Sequence, residues 1–165
     1  VLEENMVNVI VNGHEPQLLD MMVRLGEDDA MIAKAKAVGA EGINVVGMCC
    51  SGNEQLIRVG VKHAGNFVMA DAAVITGIVD GFMVDVQCIM SGIVETTKCY
   101  HTKFFTTNTR CQIDGAQHIE FDGAHGAGEA GEKLMSESIA NFKNRDAARI
   151  QVPTKTEKTI GGLSP

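Results

Sequence analysis

The chain has 165 residues, 45% of them hydrophobic, and a formal net charge of −7. That length suits one domain with a buried core, and its apolar runs, about six residues long, are too short to span a membrane. The acidic balance argues against a phosphate-binding surface of clustered Lys and Arg, and six Phe, one Tyr and no Trp leave little for base stacking, so no nucleic-acid partner is expected.

Residues 7–11 form a β-branched run and predict a buried strand. Asn12-Gly-His-Glu-Pro16 is a turn, with Pro16 suited to a first helical turn because its missing N–H would be unpaired there anyway. Residues 18–23 and 30–38 predict helices, the second capped by Asp29 and stopped by Gly39. Residues 43–48 predict the second strand, and Gly52-Asn53 leads into a helix over 54–59. Residues 71–79 read as helical, Asp80-Gly81 as a turn and 82–86 as the third strand. A helix over 89–98, strands over 103–107 and 118–121, and a long helix over 127–148 follow. Nine Met are spaced as core packing. Strands alternating with helices imply an α/β fold: a doubly wound, mostly parallel sheet with helices on both faces, in a single domain over 1–150. Residues 151–165 are polar, with Pro153 and Gly161-Gly162, and read as a linker. The start at Val1 and the polar end at Pro165 suggest a fragment of a longer chain.

Chemistry concentrates at three strand ends. His14 follows the first strand, Cys49-Cys50 the second and Cys88 the third. Ligands of open α/β sheets bind at these carboxyl ends. Imidazole and thiolate suit iron, zinc and iron–sulfur clusters. His14, Cys50 and Cys88 are 36 and 38 residues apart, so each would come from its own βα unit. No close C-x₂-C pair of the structural-zinc kind occurs. Five cysteines, an odd number, and no visible signal peptide argue against a disulfide framework. Two other readings stay open on the residues alone. In one, Cys49 and Cys88 are small buried hydrophobes and His14 is a helix-start residue. Alternatively, Cys50 at a helix N-terminus has a lowered pKa and acts as a nucleophile with His14 or His63. No G-x-G-x-x-G follows the first strand and no G-x-x-x-x-G-K-[ST] occurs, which excludes the standard nucleotide motifs. Gly123-Ala-His-Gly-Ala-Gly128 reads as a loop, Cys99 and Cys111 as bystander thiols, and His63, His118 and His125 as surface or loop residues. Asp85, inside an apolar run, either faces solvent or hydrogen-bonds backbone near the site.

Beyond these residues, Asn12-Gly-His-Glu-Pro16, Gly42-Ile-Asn-Val-Val-Gly-Met-Cys-Cys-Ser-Gly-Asn-Glu54 and Thr76-Gly with Val84-Asp-Val-Gln-Cys-Ile-Met90 resemble the anaerobic nickel–iron carbon monoxide dehydrogenases. Tyr100-His-Thr-Lys, Gly115-Ala-Gln-His-Ile and Ile160-Gly-Gly-Leu-Ser extend the resemblance over nearly the whole chain. The resemblance implies a Rossmann-like middle domain of a larger oxidoreductase subunit. It implies a nickel–iron–sulfur cluster of the Ni-4Fe-4S type, shared with a C-terminal domain that supplies the nickel ligand. His14 and Cys50 would hold a pendant iron and Cys88 an iron of the cubane portion, with Cys49 near the cluster but not a ligand. Electron-relay 4Fe-4S clusters would lie elsewhere in the parent. The implied reaction takes CO and water to CO2, two protons and two electrons, reversibly, with a ferredoxin-like acceptor, in a cytoplasmic homodimer. Ser51 replaces the family's usual Thr, and Ser91 its usual Pro, which removes a rigid φ just after Cys88. The ligand set is incomplete within this chain, so the isolated segment is expected to be inactive.

Overall fold

A computed structural model of the chain describes residues 1–121 and 126–154. Its centre is a six-stranded sheet, all parallel, in the order β3-β2-β1-β4-β5-β6. The strands are β1 (Met6–Asn12), β2 (Gly42–Met48), β3 (Lys62–His63), β4 (Val79–Val84), β5 (Lys103–Thr106) and β6 (Gln117–His118). The helices are α1 (Pro16–Gly26), α2 (Asp29–Ala37), α3 (Cys49–Val59), α4 (Ala70–Val74), α5 (Ile93–Lys98) and α6 (Ala127–Asn141). From β1 the chain builds outward to β2 and β3, then returns to place β4 on the other side of β1. The strand order therefore reverses between β1 and β4, which is where such sheets open a crevice at their carboxyl edge.

Both faces of the sheet are covered, so its central strands β1 and β4 are almost wholly buried and mostly apolar. Val7, Val9 and Val11 pack with Leu18 and Leu19 of α1 and Leu134 of α6 on one face. Ile10, Val46, Phe82 and Val84 pack with Val74 of α4 and Ile93 of α5 on the other. Each such side chain contributes roughly 1.5–3 kcal/mol of burial. α3 lies beside α1 and against β2. Gly47 and Gly52 make this approach possible: a Cβ on Gly47 would stand 2.5 Å from the Gly52 Cα.

Several predicted elements shift. The predicted helix over 71–79 contracts to α4, and β4 starts at Val79, so Asp80-Gly81 lies inside a strand and not in a turn. The reason is a bulge: Asn8 pairs with Val79 and Val9 with Gly81, which leaves Asp80 as the extra residue. Its carboxylate takes over the missing ladder bond by accepting the Asn8 N–H at 2.7 Å. The helix predicted over 54–59 begins at Cys49, so the double cysteine lies in its first turn. Asp28 and not Asp29 caps α2, accepting the N–H groups of Ala30 and Met31. The helix over 89–98 starts only at Ile93, and the one over 127–148 ends at Asn141, with short 3₁₀ turns beyond. β3, two residues long, carries no periodicity to read. Gly126 has φ +85 and α6 starts at Ala127, so the glycine-rich stretch is in part a helix start; residues 122–125, with His125, lie outside the described residues. The Ile160-Gly-Gly-Leu-Ser string lies outside them too. Among the described residues no helix is long and apolar enough to cross a membrane.

Candidate metal centre at the sheet switch point

The three predicted ligand positions fall at the carboxyl ends of three neighbouring strands. His14 lies two residues past β1, Cys50 two past β2 and Cys88 four past β4. Backbone and carboxylate hydrogen bonds tie these ends together. Ser51 donates its N–H to the Gly13 carbonyl at 2.9 Å, and Asp85 donates its N–H to the Asn12 carbonyl at 3.2 Å. The Asn12 side-chain amide donates to the Cys88 carbonyl at 3.1 Å. The Asp85 carboxylate accepts the backbone N–H of His14 at 2.7 Å and of Glu15 at 3.0 Å, and also that of Val86. Asp85 is thus a brace between β4 and the start of α1, where Glu15 gives no side-chain cap of its own. Of its two sequence readings, the structure selects the backbone-bonded one: Asp85 is fully buried. Burial pushes its carboxyl above the usual carboxylate range, and the three N–H donors oppose that rise.

The turns that carry the thiols are strained. Cys49 has φ +62, Gln87 +60 and Cys88 +49. Left-handed backbone at a non-glycine residue costs about 1–3 kcal/mol and concentrates at functional sites. All three such residues in the described chain sit at this edge. The loop after β3 buttresses the first of them. Cys49 donates its N–H to the Gly65 carbonyl at 2.9 Å, and His63 Nδ1 accepts the Gly65 N–H at 3.1 Å. His63 Nε2 therefore carries its proton and donates to the Cys49 carbonyl at 3.1 Å.

The side chains differ in exposure: Cys49 is buried, Cys50 exposed and Cys88 between. Burial raises the Cys88 thiol above its usual value, and the neighbouring thiol of Cys49, then the charges of Cys50 and Asp85, add to the rise. Cys50 is raised as well, by desolvation first and then by Cys49. This runs against the expectation that the helix N-terminus lowers the Cys50 pKa: desolvation, and after it the Cys49 thiol, raise it. A metal would have to displace these protons. Both nitrogens of His63 are committed to backbone, and no imidazole nitrogen is hydrogen-bonded to Cys50 among the described residues. Cys99 follows α5 and precedes β5, whereas Cys111 lies in the turn after β5, where Asn108 donates to Glu15 Oε1 at 2.8 Å. None of the five cysteines is in a disulfide.

The imidazole and thiol side chains at this edge are of the kinds that bind iron. His14 Nδ1 is buried and has no hydrogen-bond partner among the described residues, as a ligating nitrogen or one held for an absent donor would be. Yet among the described residues no three His, Cys, Asp or Glu side chains form a group that could hold one metal ion. A site for a single ion is not preformed here; ligands to separate irons of a cluster need not converge on one point.

Two features escaped the sequence reading. Asp80, at the opposite end of β4, accepts from Arg145 Nε at 2.9 Å and Nη2 at 2.6 Å and pairs with His101 Nε2 at 2.9 Å. Its Asp-Gly context signalled a turn and hid the buried pair. Buried Asn12 Oδ1, Ser51 Oγ, Gln55 Oε1 and His118 Nε2 also lack partners among the described residues. His118, expected at the surface, closes β6, and its Nδ1 pairs with Thr106 Oγ1 at 3.0 Å.

Comparison with known proteins shows the family and the fold. A family model described as Prismane/CO dehydrogenase family matches residues 1–162. Carbon monoxide dehydrogenase 1 of Methanosarcina mazei is 41% identical over 164 residues, which cover 99% of this chain and 26% of that protein. A Ni-free carbon monoxide dehydrogenase structure from Thermococcus sp. AM4, produced without CooC maturase, matches with TM-score 0.90 at 45% identity, covering 93% of this chain and 24% of that one. A structure of acetyl-CoA synthase/carbon monoxide dehydrogenase described for NiZn[Fe4S4] and NiNi[Fe4S4] clusters in its alpha subunits matches with TM-score 0.82 at 40% identity, over 87% of this chain and 21% of that one. The chain spans about a quarter of the length of these relatives.

Proposed function

Since the chain belongs to the Prismane/CO dehydrogenase family, we propose that it is the middle, cluster-supporting part of an anaerobic carbon monoxide dehydrogenase subunit. One observation carries the reading: imidazole and thiol donors stand on adjacent strand ends at the point where strand order reverses. His14 and Cys50 would hold one iron and Cys88 another, while Cys49 lies beside them without binding. When bound, a nickel–iron–sulfur cluster supplies the redox and Lewis-acid chemistry that takes CO and water to CO2, two protons and two electrons. The chain's own share is positional. Asp85 fixes the His14 backbone, Asn12 fixes the Cys88 carbonyl, and His63 with Gly65 fixes the turn at Cys49.

Residues 1–150 form the Rossmann-like domain in this reading, and 151–165 lead toward a C-terminal domain that completes the cluster and brings the nickel ligand. Relay clusters elsewhere in the subunit pass electrons to a ferredoxin-like acceptor, in a cytoplasmic homodimer. The thiol-enzyme alternative is weaker, because His63 spends both ring nitrogens on backbone.

The test is metal analysis of the anaerobically prepared full-length protein, with CO-dependent dye reduction alongside. His14→Ala, Cys50→Ala and Cys88→Ala should each lower iron and nickel content and abolish CO oxidation. Cys99→Ala and Cys111→Ala should leave both unchanged. Full metal content in all three of the first set would sink the ligand assignment.

A further inference from the structure

α3 carries two buried polar side chains that nothing in the described residues satisfies. Ser51 is 1% exposed and its Oγ has no partner; Gln55 is 2% exposed and its Oε1 has none. They are one helical turn apart and share a face of α3. Leaving a buried acceptor unpaired is costly, so each calls for a donor from outside the hydrogen bonds just described. Ser51 adjoins Cys50, and its N–H holds the turn that carries His14. Gln55 reaches the other way. Its amide donates to the Pro16 carbonyl at 3.4 Å, and it lines a cavity of about 350 Å³ with Pro16, Gln17, Arg24 and Arg58. The Arg24 and Arg58 side chains are largely exposed, so the mouth of this cavity is wet. The two unsatisfied oxygens thus mark a line from the thiol turn, along α3, to solvent.

We propose that Ser51 and Gln55 anchor a chain of ordered water joining the metal centre to the cavity between α1 and α3. A buried water makes about three hydrogen bonds to otherwise unpaired polar groups, which is what these two oxygens lack. This rests on the reading of the site as a carbon monoxide dehydrogenase centre. That reaction consumes one water and releases two protons per CO. The chain would bring water in and let protons hop outward along it to buffer at the mouth, while the electrons leave by the acceptor. The side chains hold the waters and are not themselves consumed or oxidised.

Two measurements on the full-length, metal-loaded enzyme test it. A high-resolution structure should place a water within about 3.2 Å of Ser51 Oγ and another within that distance of Gln55 Oε1. A protein group from elsewhere in the subunit donating to Gln55 Oε1, or a dry contact there, overturns the proposal. Gln55→Leu and Ser51→Ala should keep iron and nickel content and the cluster's electron paramagnetic resonance. In dilute buffer their kcat should fall several-fold, with a raised solvent isotope effect, and recover as a small buffer such as imidazole is added. Unchanged kcat at every buffer concentration, or loss of metal in both variants, overturns it. If the loaded enzyme oxidises no CO at all, the functional reading fails, whereas the water positions remain measurable in their own right.

Discussion

A methyl group on Gly13 would sit 1.6 Å from Asp85 Oδ1, and the residue's φ is +141. Gly13→Ala must therefore push the His14 turn away from β4 and break the Asp85 brace. The expected loss is about 1–3 kcal/mol from backbone strain, read as a lower urea midpoint, with reduced iron in the full-length protein. Asp85→Asn tests the same brace from its other side. One acceptor oxygen remains, and the new NH₂ faces backbone donors that no longer have a partner. The cost should be about 1–3 kcal/mol, and an unchanged urea midpoint would show that the brace carries no stability. Sequence alone placed His14, Cys50 and Cys88 at strand ends, because each follows an apolar run directly. It could not tell which way Asp85 faced, since an apolar run with one carboxylate fits either a buried or an exposed pleat. It also gave no sign of Ser51 and Gln55, which are ordinary polar residues until the helix buries them.

At the scale of elements, the lower end of the sheet is latched by a buried ion pair. Arg145, from the turn after α6, binds Asp80 and also the carbonyls of Met6 and Ile78, while Asn8 and His101 complete the carboxylate's partners. Arg145→Met leaves a buried charge with fewer partners and should cost about 3–5 kcal/mol in chemical unfolding. Replacing Asp80 and Arg145 together should recover part of that loss, as a double-mutant cycle would measure. A shallower pair joins β5 to α6. Lys103 Nζ lies 2.8 Å from Glu137 Oε2, and Gln117 donates to the other oxygen. The Lys103 contact holds the Glu137 carboxyl below its usual value of 4.5, with burial opposing and Gln117 and the Lys133 charge helping. A depressed acid stabilises the fold above its unfolded pKa, and the contribution disappears as pH falls through the folded one. Glu137→Gln should thus destabilise by at most about 1 kcal/mol at neutral pH, since the pair is partly solvated. The difference between thermal melts of the two proteins should shrink as pH falls below 4.5 and vanish once the folded carboxyl is protonated. An undiminished gap in acid would mean that the pair's charge is irrelevant.

For the whole molecule, the core and the site call for different things. Each face of the sheet has its own apolar cluster with helices of this chain against it. The 165-residue chain by itself should therefore unfold cooperatively, yet it should retain no stoichiometric nickel after anaerobic reconstitution. Circular dichroism melts and elemental analysis check the two halves of that expectation, and one nickel per chain would overturn the second. The alternation of strands and helices, the parallel sheet and the three donor positions follow from sequence, because hydrophobic period and turn residues act locally. The β4 boundary did not follow, because a bulge satisfied by a side chain 72 positions away in sequence is invisible to local patterning. Nor could spacing alone say that β1 and β4 are neighbours. Only packing decides which strands adjoin, since long-range pairing is set by the burial of both sheet faces at once. That decision puts His14 and Cys88 on either side of the switch point and braces them through Asp85, turning donors scattered along the chain into one edge.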